Sequence, residues 1–476
     1  MTDATPDELL VTLARRLGDE RVLTDPADLI VYEADGSTMH DTVPRAVVFP
    51  HTTEEIAAVV QACRANRVPF VARGAGTGLS GGAMALDGAI ILALNRMNRI
   101  LEVDVEDRRA VVQPGVRNLA VSEAVAKHGL FYAPDPSSQA VCTLGGNVAH
   151  NSGGPHTLKH GVTVNHVIGL ELVTPLGEIV RIGGSDRPGY DLLALLTGSE
   201  GTLGIVSSIE LRLSRIPEGV RTLLAAFPDI ERASEAVSAI IGAGIVPSAL
   251  EMLDDVVVGA LEAAFGLTFP DGAGALLLVE SDGPEPGLDV EADAIKALCT
   301  RHGAMDVRLA GSDEERAEVW TARKKAFGAL GRVARNYYTQ DGVIPRTRLP
   351  DMLRHVRNVS RKYQLRIANV FHAGDGNLHP CILFDDDSPE MHRKVLEAGA
   401  EILRHCVQLG GSLTGEHGVG VEKREWMTLM FQDSDLELMR RLRDAFDVEG
   451  FCNPGKILPL GKGCAELSPR ARQAAL

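Results

Sequence analysis

Between Thr143 and His156 the chain reads Thr-Leu-Gly-Gly-Asn-Val-Ala-His-Asn-Ser-Gly-Gly-Pro-His, with four glycines, two histidines and two asparagines in fourteen residues. This is too polar and glycine-rich for a core strand, and too long for an ordinary tight turn. Paired glycines remove Cβ atoms where a flat or charged group must approach the backbone. Their N–H groups suit phosphate oxygens. A plain surface loop is the alternative. Against it, residues 161–174 read as a buried strand, and loops that hold ligands are usually anchored on rigid strands.

At 476 residues the chain has room for two or three domains, each with its own core. A net charge of -16, with no compensating basic patch, argues against nucleic acid and against an anionic membrane surface. The acidic, polar start Met1–Asp7 does not look like a signal peptide. No apolar stretch reaches the length of a membrane span. A cytoplasmic location is expected, with peripheral attachment through a partner as the alternative. Seven scattered cysteines without a C-x-x-C pair fit reduced thiols and leave no iron–sulfur ligand pattern. A chain like this needs another electron carrier if it handles electrons.

Residues 7–18 read as an amphipathic helix, and Ala46–Pro50 as a strand. Thr52-Thr53-Glu54-Glu55 reads as the capped start of a helix to about Asn66. Strand Pro69–Ala72 feeds the glycine-rich loop Arg73–Gly82, in which Gly76, Gly78 and Gly81 satisfy G-x-G-x-x-G. A Rossmann loop opens a long helix facing the pyrophosphate. Here the loop passes through Ala83–Gly88 straight into the apolar strand Ala89–Leu94, which leaves no room for that helix. The Rossmann reading is rejected, while the backbone donors still suit a pyrophosphate. Strands at 100–105 and 109–112, a helix at 117–128 and the rigid segment Pro134–Ser138 follow. After the central stretch come two strands around the turn 175–178, a short helix at 190–196 and the glycine-rich turn Thr197–Val206. Three ligand-type loops on short strands imply one large ligand held mainly by backbone.

Past Pro217-Glu218-Gly219 the character changes. Strands at 221–227, 246–253, 274–280 and 304–309 alternate with helices at 229–241, 254–264 and 286–302, which suggests a separate α/β domain. A polar helix at 312–335 carries Trp320, Arg323, Lys324 and Phe327. A strand at 336–342 and a helix at 349–363 follow. Strand Arg366–His372, turn Ala373–Asn377 and return strand Leu378–Phe384 place His372 and His379 at the two ends of a hairpin loop. Such positions bring Cβ atoms to about 5 Å, close enough to share one metal. A lone histidine there is usually structural. Two across a turn, with Glu416-His417 in the glycine-rich Ser412–Gly420 after a helix at 388–408, point to a catalytic divalent-metal site. The tail Phe451–Ile457 reads as an unremarkable surface segment.

With Trp320-x-x-Arg323-Lys324-x-Ala326-Phe327, Asp341–Arg346 and Asn453-Pro454-Gly455-Lys456 added, these motifs resemble a known family. It is the flavin-dependent D-2-hydroxy acid dehydrogenases of the vanillyl-alcohol oxidase / p-cresol methylhydroxylase superfamily, on the side of the glycolate oxidase D subunits and D-lactate dehydrogenases. The resemblance covers almost the whole chain. It implies an α+β fold with a two-subdomain FAD-binding domain (1–217) and an α/β cap, or substrate, domain with the metal site (218–430). A C-terminal segment (431–476) would return to the FAD domain.

The resemblance further implies noncovalent FAD, since no histidine stands where some members link the flavin. Its contacts would be Arg73, Gly74, Ala75, Gly76, Thr77, Gly78, Ser80, Pro134, Asp135, Ser138, Thr143, Gly145, Gly146, Asn147, Ala149, Ser152, Gly153, Gly154, Glu200, Gly201, Gly204, Ile205, Val206 and Asn453. His372, His379 and Glu416 would bind a divalent metal, zinc or manganese. His417, with a pKa near neutrality, would be the base, and Arg323 would grip the substrate carboxylate. Arg346 is a second candidate for that grip, and His372 would also face the substrate. The implied reaction oxidises a small 2-hydroxy acid, glycolate or D-lactate, with hydride passing to FAD. Electrons would go on to a quinone, an electron-transfer flavoprotein or an iron–sulfur partner subunit. The D-2-hydroxyglutarate branch carries threonine where Phe327 stands and asparagine where Cys381 stands, so this pocket leans toward small monocarboxylates. Rival classes are an NAD-linked dehydrogenase, a flavin-free metal hydrolase and a non-catalytic FAD subunit.

Overall fold

The computed structural model describes residues 7–37, 39–184 and 190–460. Four short strands make the first sheet: β1 (Val22–Leu23), β2 (Ala46–Val48), β3 (Phe70–Arg73) and β4 (Ile90–Ala93), in order β1-β2-β4-β3. β2, β4 and β3 run parallel, which requires crossovers. The helix Thr53–Ala65 is the first of these. Its start is fixed by Thr52 Oγ1 accepting from the Glu55 N–H, and it packs Ile56, Val59, Val60 and Cys63 against Leu9, Leu13 and Leu17 of the helix Glu8–Leu17. Between β3 and β4 the only helical piece is the three-residue turn Leu86–Gly88, so no helix opens from the glycine loop.

The second sheet combines β5 (Ile100–Asp104), β6 (Arg109–Val112), β8 (Val167–Val173), β9 (Ile179–Gly183) and β10 (Ile205–Arg212), all antiparallel, in order β5-β6-β10-β8-β9. β7 (Leu130–Phe131) and β11 (Ser214–Arg215) form a separate ribbon.

The central stretch departs from the loop expected of it: Leu144–His150 is an α-helix, entered from extended Thr143 and left through Asn151 at φ 52. Its first glycine serves close packing. A Cβ on Gly145 would meet the Pro114 ring at 2.7 Å, and the buried Asn147 accepts from Asn118 Nδ2 at 3.1 Å. The buried strand also begins later than expected, at Val167, because Thr163–Asn165 forms a 3-10 turn.

The third sheet holds nine strands: β12 (Gly219–Phe227), β13 (Ala249–Asp254), β14 (Ala275–Gly283), β15 (Asp306–Leu309), β16 (Asn336–Thr339), β17 (Gly342–Val343), β18 (Arg366–His372), β19 (Asn377–Leu378) and β20 (Pro380–Phe384). The main order is β15-β12-β14-β13-β18-β19-β17, with β20 pairing β18 and β16. The strand–helix alternation is present, yet every pairing is antiparallel. β14 lies between β12 and β13, as in a split β-α-β unit. Alternation along the chain reports crossovers, and the neighbour is decided by what is inserted. Helices Ile230–Gly242, Glu285–Arg301, Leu349–Tyr363 and Pro389–Gln408 share one core with this sheet. Helices Asp255–Phe265 and Asp313–Val333 share another.

The tail is not a surface segment. Phe451, Cys452 and Asn453 are 3%, 1% and 2% exposed. The Phe70 N–H donates to the Phe451 carbonyl at 2.9 Å, and the Asn453 N–H donates to the Phe70 carbonyl at 2.8 Å. The chain end thereby extends the first sheet beside β3.

Candidate active site

One cleft collects the three glycine-rich segments. Arg73, Gly74, Ala75, Gly76, Thr77, Gly78, Ser138, Thr143, Gly145, Gly146, Asn147, Ala149, Ser152, Glu200, Gly201, Gly204, Ile205 and Val206 line it. Phe327, Tyr337, Thr339, His379, Glu416 and His417 line it as well. The other expected cofactor residues build its walls. Ser80 donates to the His417 carbonyl at 3.0 Å. The Pro134 carbonyl accepts from Asn118 Nδ2, and Asp135 pairs with His156 Nδ1 at 2.7 Å. A Cβ on Gly154, at φ 133, would strike the Asp135 carbonyl, and one on Gly153 would meet Glu416 Oε2 at 3.3 Å. Asn453 Nδ2 donates to the carbonyls of Gly82 and Glu200. The Glu200 carboxylate accepts from the N–H groups of Val419 and Gly420 at 2.7 and 2.8 Å, tying the cleft to the loop after His417.

The cleft fits a long, phosphate-bearing ligand. A Cβ on Gly74 would strike Thr143 Oγ1. Buried polar atoms without a protein partner gather here: Arg73 Nη1, Thr143 Oγ1, His150 Nδ1 and Asn453 Oδ1. Leaving such atoms unpaired costs about 1–3 kcal/mol each, so a polar ligand is the economical partner. His150, on the Leu144–His150 helix, was not singled out in the sequence as a ligand residue.

Where the nine-stranded sheet meets this cleft, His372, His379 and Glu416 converge with ligand atoms within 4.8 Å of one another. Glu416 Oε1 lies 3.3 Å from His372 Nε2 and 3.2 Å from His379 Nε2. The two rings stand edge to face at 5.1 Å. The hairpin brings them together, although the direct partner of His372 across the turn is Asn377. Burial works against ionisation of Glu416, but His372 and His379 outweigh it and hold that carboxyl well below the usual range. Two nitrogens and a carboxylate oxygen with an open side are the donor set of a catalytic divalent cation.

His417 stacks on His379 at 4.9 Å, and its Nε2 lies 3.9 Å from Glu416 Oε1. Burial pulls its pKa down to about 4, against the opposing pull of Asp341. The near-neutral value expected from sequence is thus corrected: buried imidazole loses the hydration that supports its cation. Asp341 builds the loop that presents these residues. It accepts from Thr414 Oγ1, from the N–H groups of Gly415, Glu416 and His417, and from Lys423 Nζ at 3.1 Å.

Arg323 is 3% exposed. Its Nε donates to Glu251 Oε2 at 2.6 Å, while Nη2 is buried without a partner. Its guanidinium lies 5.9 Å from the centre of Phe327, which lines the cleft. Arg346 donates through Nη1 to the Gly374 carbonyl at 3.0 Å, and neither it, Arg323 nor His372 is among the residues that line the cleft. Cys381 also stands outside it: the thiol is fully buried against Thr339, which supplies the lining at that point. Glu251, Asp341 and Lys423 were given no role from sequence. The one signal for Glu251 was a charge in the middle of the apolar run Ala249–Leu253.

Cleft and metal-type cluster together define a flavin oxidoreductase site. The model for FAD linked oxidases, C-terminal domain, matches residues 216–457, and the FAD binding domain model matches residues 44–183. Glycolate oxidase subunit GlcD of Escherichia coli (strain K12) is 44% identical over 98% of this chain and 94% of its own. The mitochondrial D-lactate dehydrogenase [cytochrome] of Arabidopsis thaliana is 30% identical over 95% of this chain and 80% of its own. In fold, the crystal structure of p-cresol methylhydroxylase with substrate bound aligns at a TM-score of 0.76 and 17% identity, over 95% and 97% of the two chains. This chain belongs to the FAD-linked oxidase family, and it is an FAD-dependent oxidoreductase.

Proposed function

We propose that this chain oxidises a small 2-hydroxy acid, glycolate or D-lactate, to the 2-oxo acid. The single observation that carries the reading is the junction of His417 with the His372–His379–Glu416 cluster at the end of the dinucleotide cleft. The named relatives, GlcD and D-lactate dehydrogenase, support this substrate class. His372, His379 and Glu416 would hold a divalent cation, zinc or manganese, which would supply acidification of a hydroxyl, and noncovalent FAD in the cleft would supply the hydride acceptor.

The protein's own residues do the rest. Arg323 anchors the substrate carboxylate through its unpartnered Nη2, in a charge-assisted hydrogen bond. Arg346, whose Nη1 donates to the Gly374 carbonyl, stays the second candidate for that grip. His417 takes the hydroxyl proton: with its pKa down at about 4 it is neutral at pH 7 and able to accept. Phe327 and Tyr337 line the cleft, with Phe327 5.9 Å from the Arg323 guanidinium, and these aromatic side chains favour a short substrate side chain over a second carboxylate. Electrons then leave to a quinone, an electron-transfer flavoprotein or an iron–sulfur partner subunit. We assign residues 1–217 to the flavin domain, 218–430 to the substrate domain and 431–476 to the returning segment. Among the described residues, no helix is long and apolar enough to cross a membrane.

An anaerobic visible spectrum, taken before and after D-lactate, L-lactate, glycolate and D-2-hydroxyglutarate in turn, tests this. Bleaching by glycolate or D-lactate is expected. Bleaching by D-2-hydroxyglutarate alone would overturn the monocarboxylate assignment, and no bleaching by any of the four would overturn the substrate class.

A further inference from the structure

Glu251 sits in the middle of β13, 1% exposed, directly opposite His372 of β18. Both of its carboxylate oxygens are used. Oε1 lies 2.7 Å from His372 Nδ1, and Oε2 accepts from Arg323 Nε at 2.6 Å. A buried carboxylate bridging an arginine and a histidine is costly to assemble unless both partners are well placed. Each partner has a further atom beyond this tie: His372 Nε2 lies 3.3 Å from Glu416 Oε1, and Arg323 Nη2 is without a protein partner.

We infer that Glu251 is a positioning residue that ties the carboxylate-anchoring arginine to the cation-binding histidine, and that this tie selects acids whose hydroxyl is on the carbon next to the carboxylate. The inference rests on the functional reading above. With Nδ1–H of His372 donated to Glu251, the lone pair of Nε2 is left for a cation. Such outer partners fix the tautomer and orientation of a ligating histidine. On the other side, the grip on Nε holds the guanidinium plane and aims its outer edge. A 2-hydroxy acid carries its two binding groups on adjacent carbons, and a 3-hydroxy acid places them one carbon further apart. A single rigid carboxylate between the two receptors sets their separation in the way a flexible pair could not.

The test is Glu251→Gln in the full-length, FAD-loaded protein. A glutamine can accept from only one of the two donors and must turn its own NH2 toward the other. Zinc and manganese affinity, measured by equilibrium dialysis, is expected to fall about 10–100-fold. KM for the preferred 2-hydroxy acid is expected to rise by a similar factor with a smaller change in kcat, and the preference for 2-hydroxy over 3-hydroxybutyrate to shrink. Should Glu251→Gln fail to fold, Glu251→Asp keeps the charge, sits one methylene short, and is read in the same assays with the same expectation. Metal affinity, KM and preference all at parent levels, even with a lower melting temperature, would mean that Glu251 is only structural and would overturn the inference. A parent protein that neither binds a divalent metal nor is bleached by 2-hydroxy acids would overturn the functional reading itself. That outcome is seen before any substitution is made.

Discussion

The flavin cleft and the acid–base cluster at its end are built in opposite ways. The cleft is mostly backbone: glycines where a Cβ would collide, a seven-residue helix packed on Pro114, and loops on short strands. The cluster is side chains held by other side chains: Glu416 against two histidines, Glu251 behind one of them, and Asp341 behind the loop. A backbone cradle tolerates change in most side chains but not the addition of a methyl group at a few positions. A side-chain cluster tolerates shape changes but not the loss of one proton acceptor or donor. The two regions should therefore fail differently.

The largest effect is expected in the cradle. Gly74→Val drives a branched side chain into Thr143 Oγ1, and the purified protein should lose its 450 nm absorbance while its far-UV spectrum is unchanged. A variant that stays yellow would show that the first loop is not a close wall for the ligand. Next comes His417→Ala, which should retain FAD but slow its reduction by about 10²–10⁴-fold, the usual contribution of a positioned acid–base group. Stopped-flow reduction with excess substrate measures it, and parent-like rates would remove His417 from the proton transfer. Chelation should produce the same separation more gently. Dialysis against a strong chelator should leave the colour and slow reduction at least about 10-fold, reversed by zinc or manganese. If colour and rate vanish together, cradle and cluster are one structural unit and the contrast fails.

The same difference decides what could be read from sequence. Glycine spacing is a local signal, so the loop Arg73–Gly82 and the absence of a Rossmann helix were both legible. The His372–His379 hairpin was legible because a tight turn brings its two ends together whatever the rest of the fold does. What could not be read depends on pairings distant along the chain. Glu251 meets His372 only because β13 neighbours β18, a pairing that strand–helix alternation does not specify, just as it does not specify that β14 inserts between β12 and β13. The helix Leu144–His150 was hidden for another reason. Glycine at positions 145 and 146 argues against a helix on propensity, and tertiary packing on Pro114 overrides that preference. The tail was unremarkable in spacing because its burial comes from partners distant along the chain: backbone pairing with Phe70, packing of Phe451 and Cys452 on the core of the first sheet, and Asn453 bonded to Gly82 and Glu200.

The smallest effect concerns the joint between the two regions. His156, at the end of the central stretch, reaches Asp135 through Nδ1 at 2.7 Å and Glu280 on β14 through Nε2 at 3.2 Å, and it stacks on Trp320 at 5.3 Å. Glu280 also accepts from Thr222, from Trp320 Nε1 and twice from Arg316. Burial opposes the His156 charge, but Asp135 and Glu280 outweigh it and raise the pKa to about 10. The raised value sets the sign. The contribution is fully present below the ordinary histidine value near 6.5, declines as pH rises above it, and is gone once pH passes about 10. The melting temperature of the parent should therefore exceed that of His156→Ala at pH 6 by a margin that narrows steadily toward pH 10. The corresponding difference in unfolding free energy at pH 6 should be on the order of 1–3 kcal/mol. Arg316 competes for the same carboxylate, so part of the joint survives the substitution and the cleft should keep its flavin throughout. A margin independent of pH would mean that His156 holds the two regions together by stacking on Trp320 and not by its charge.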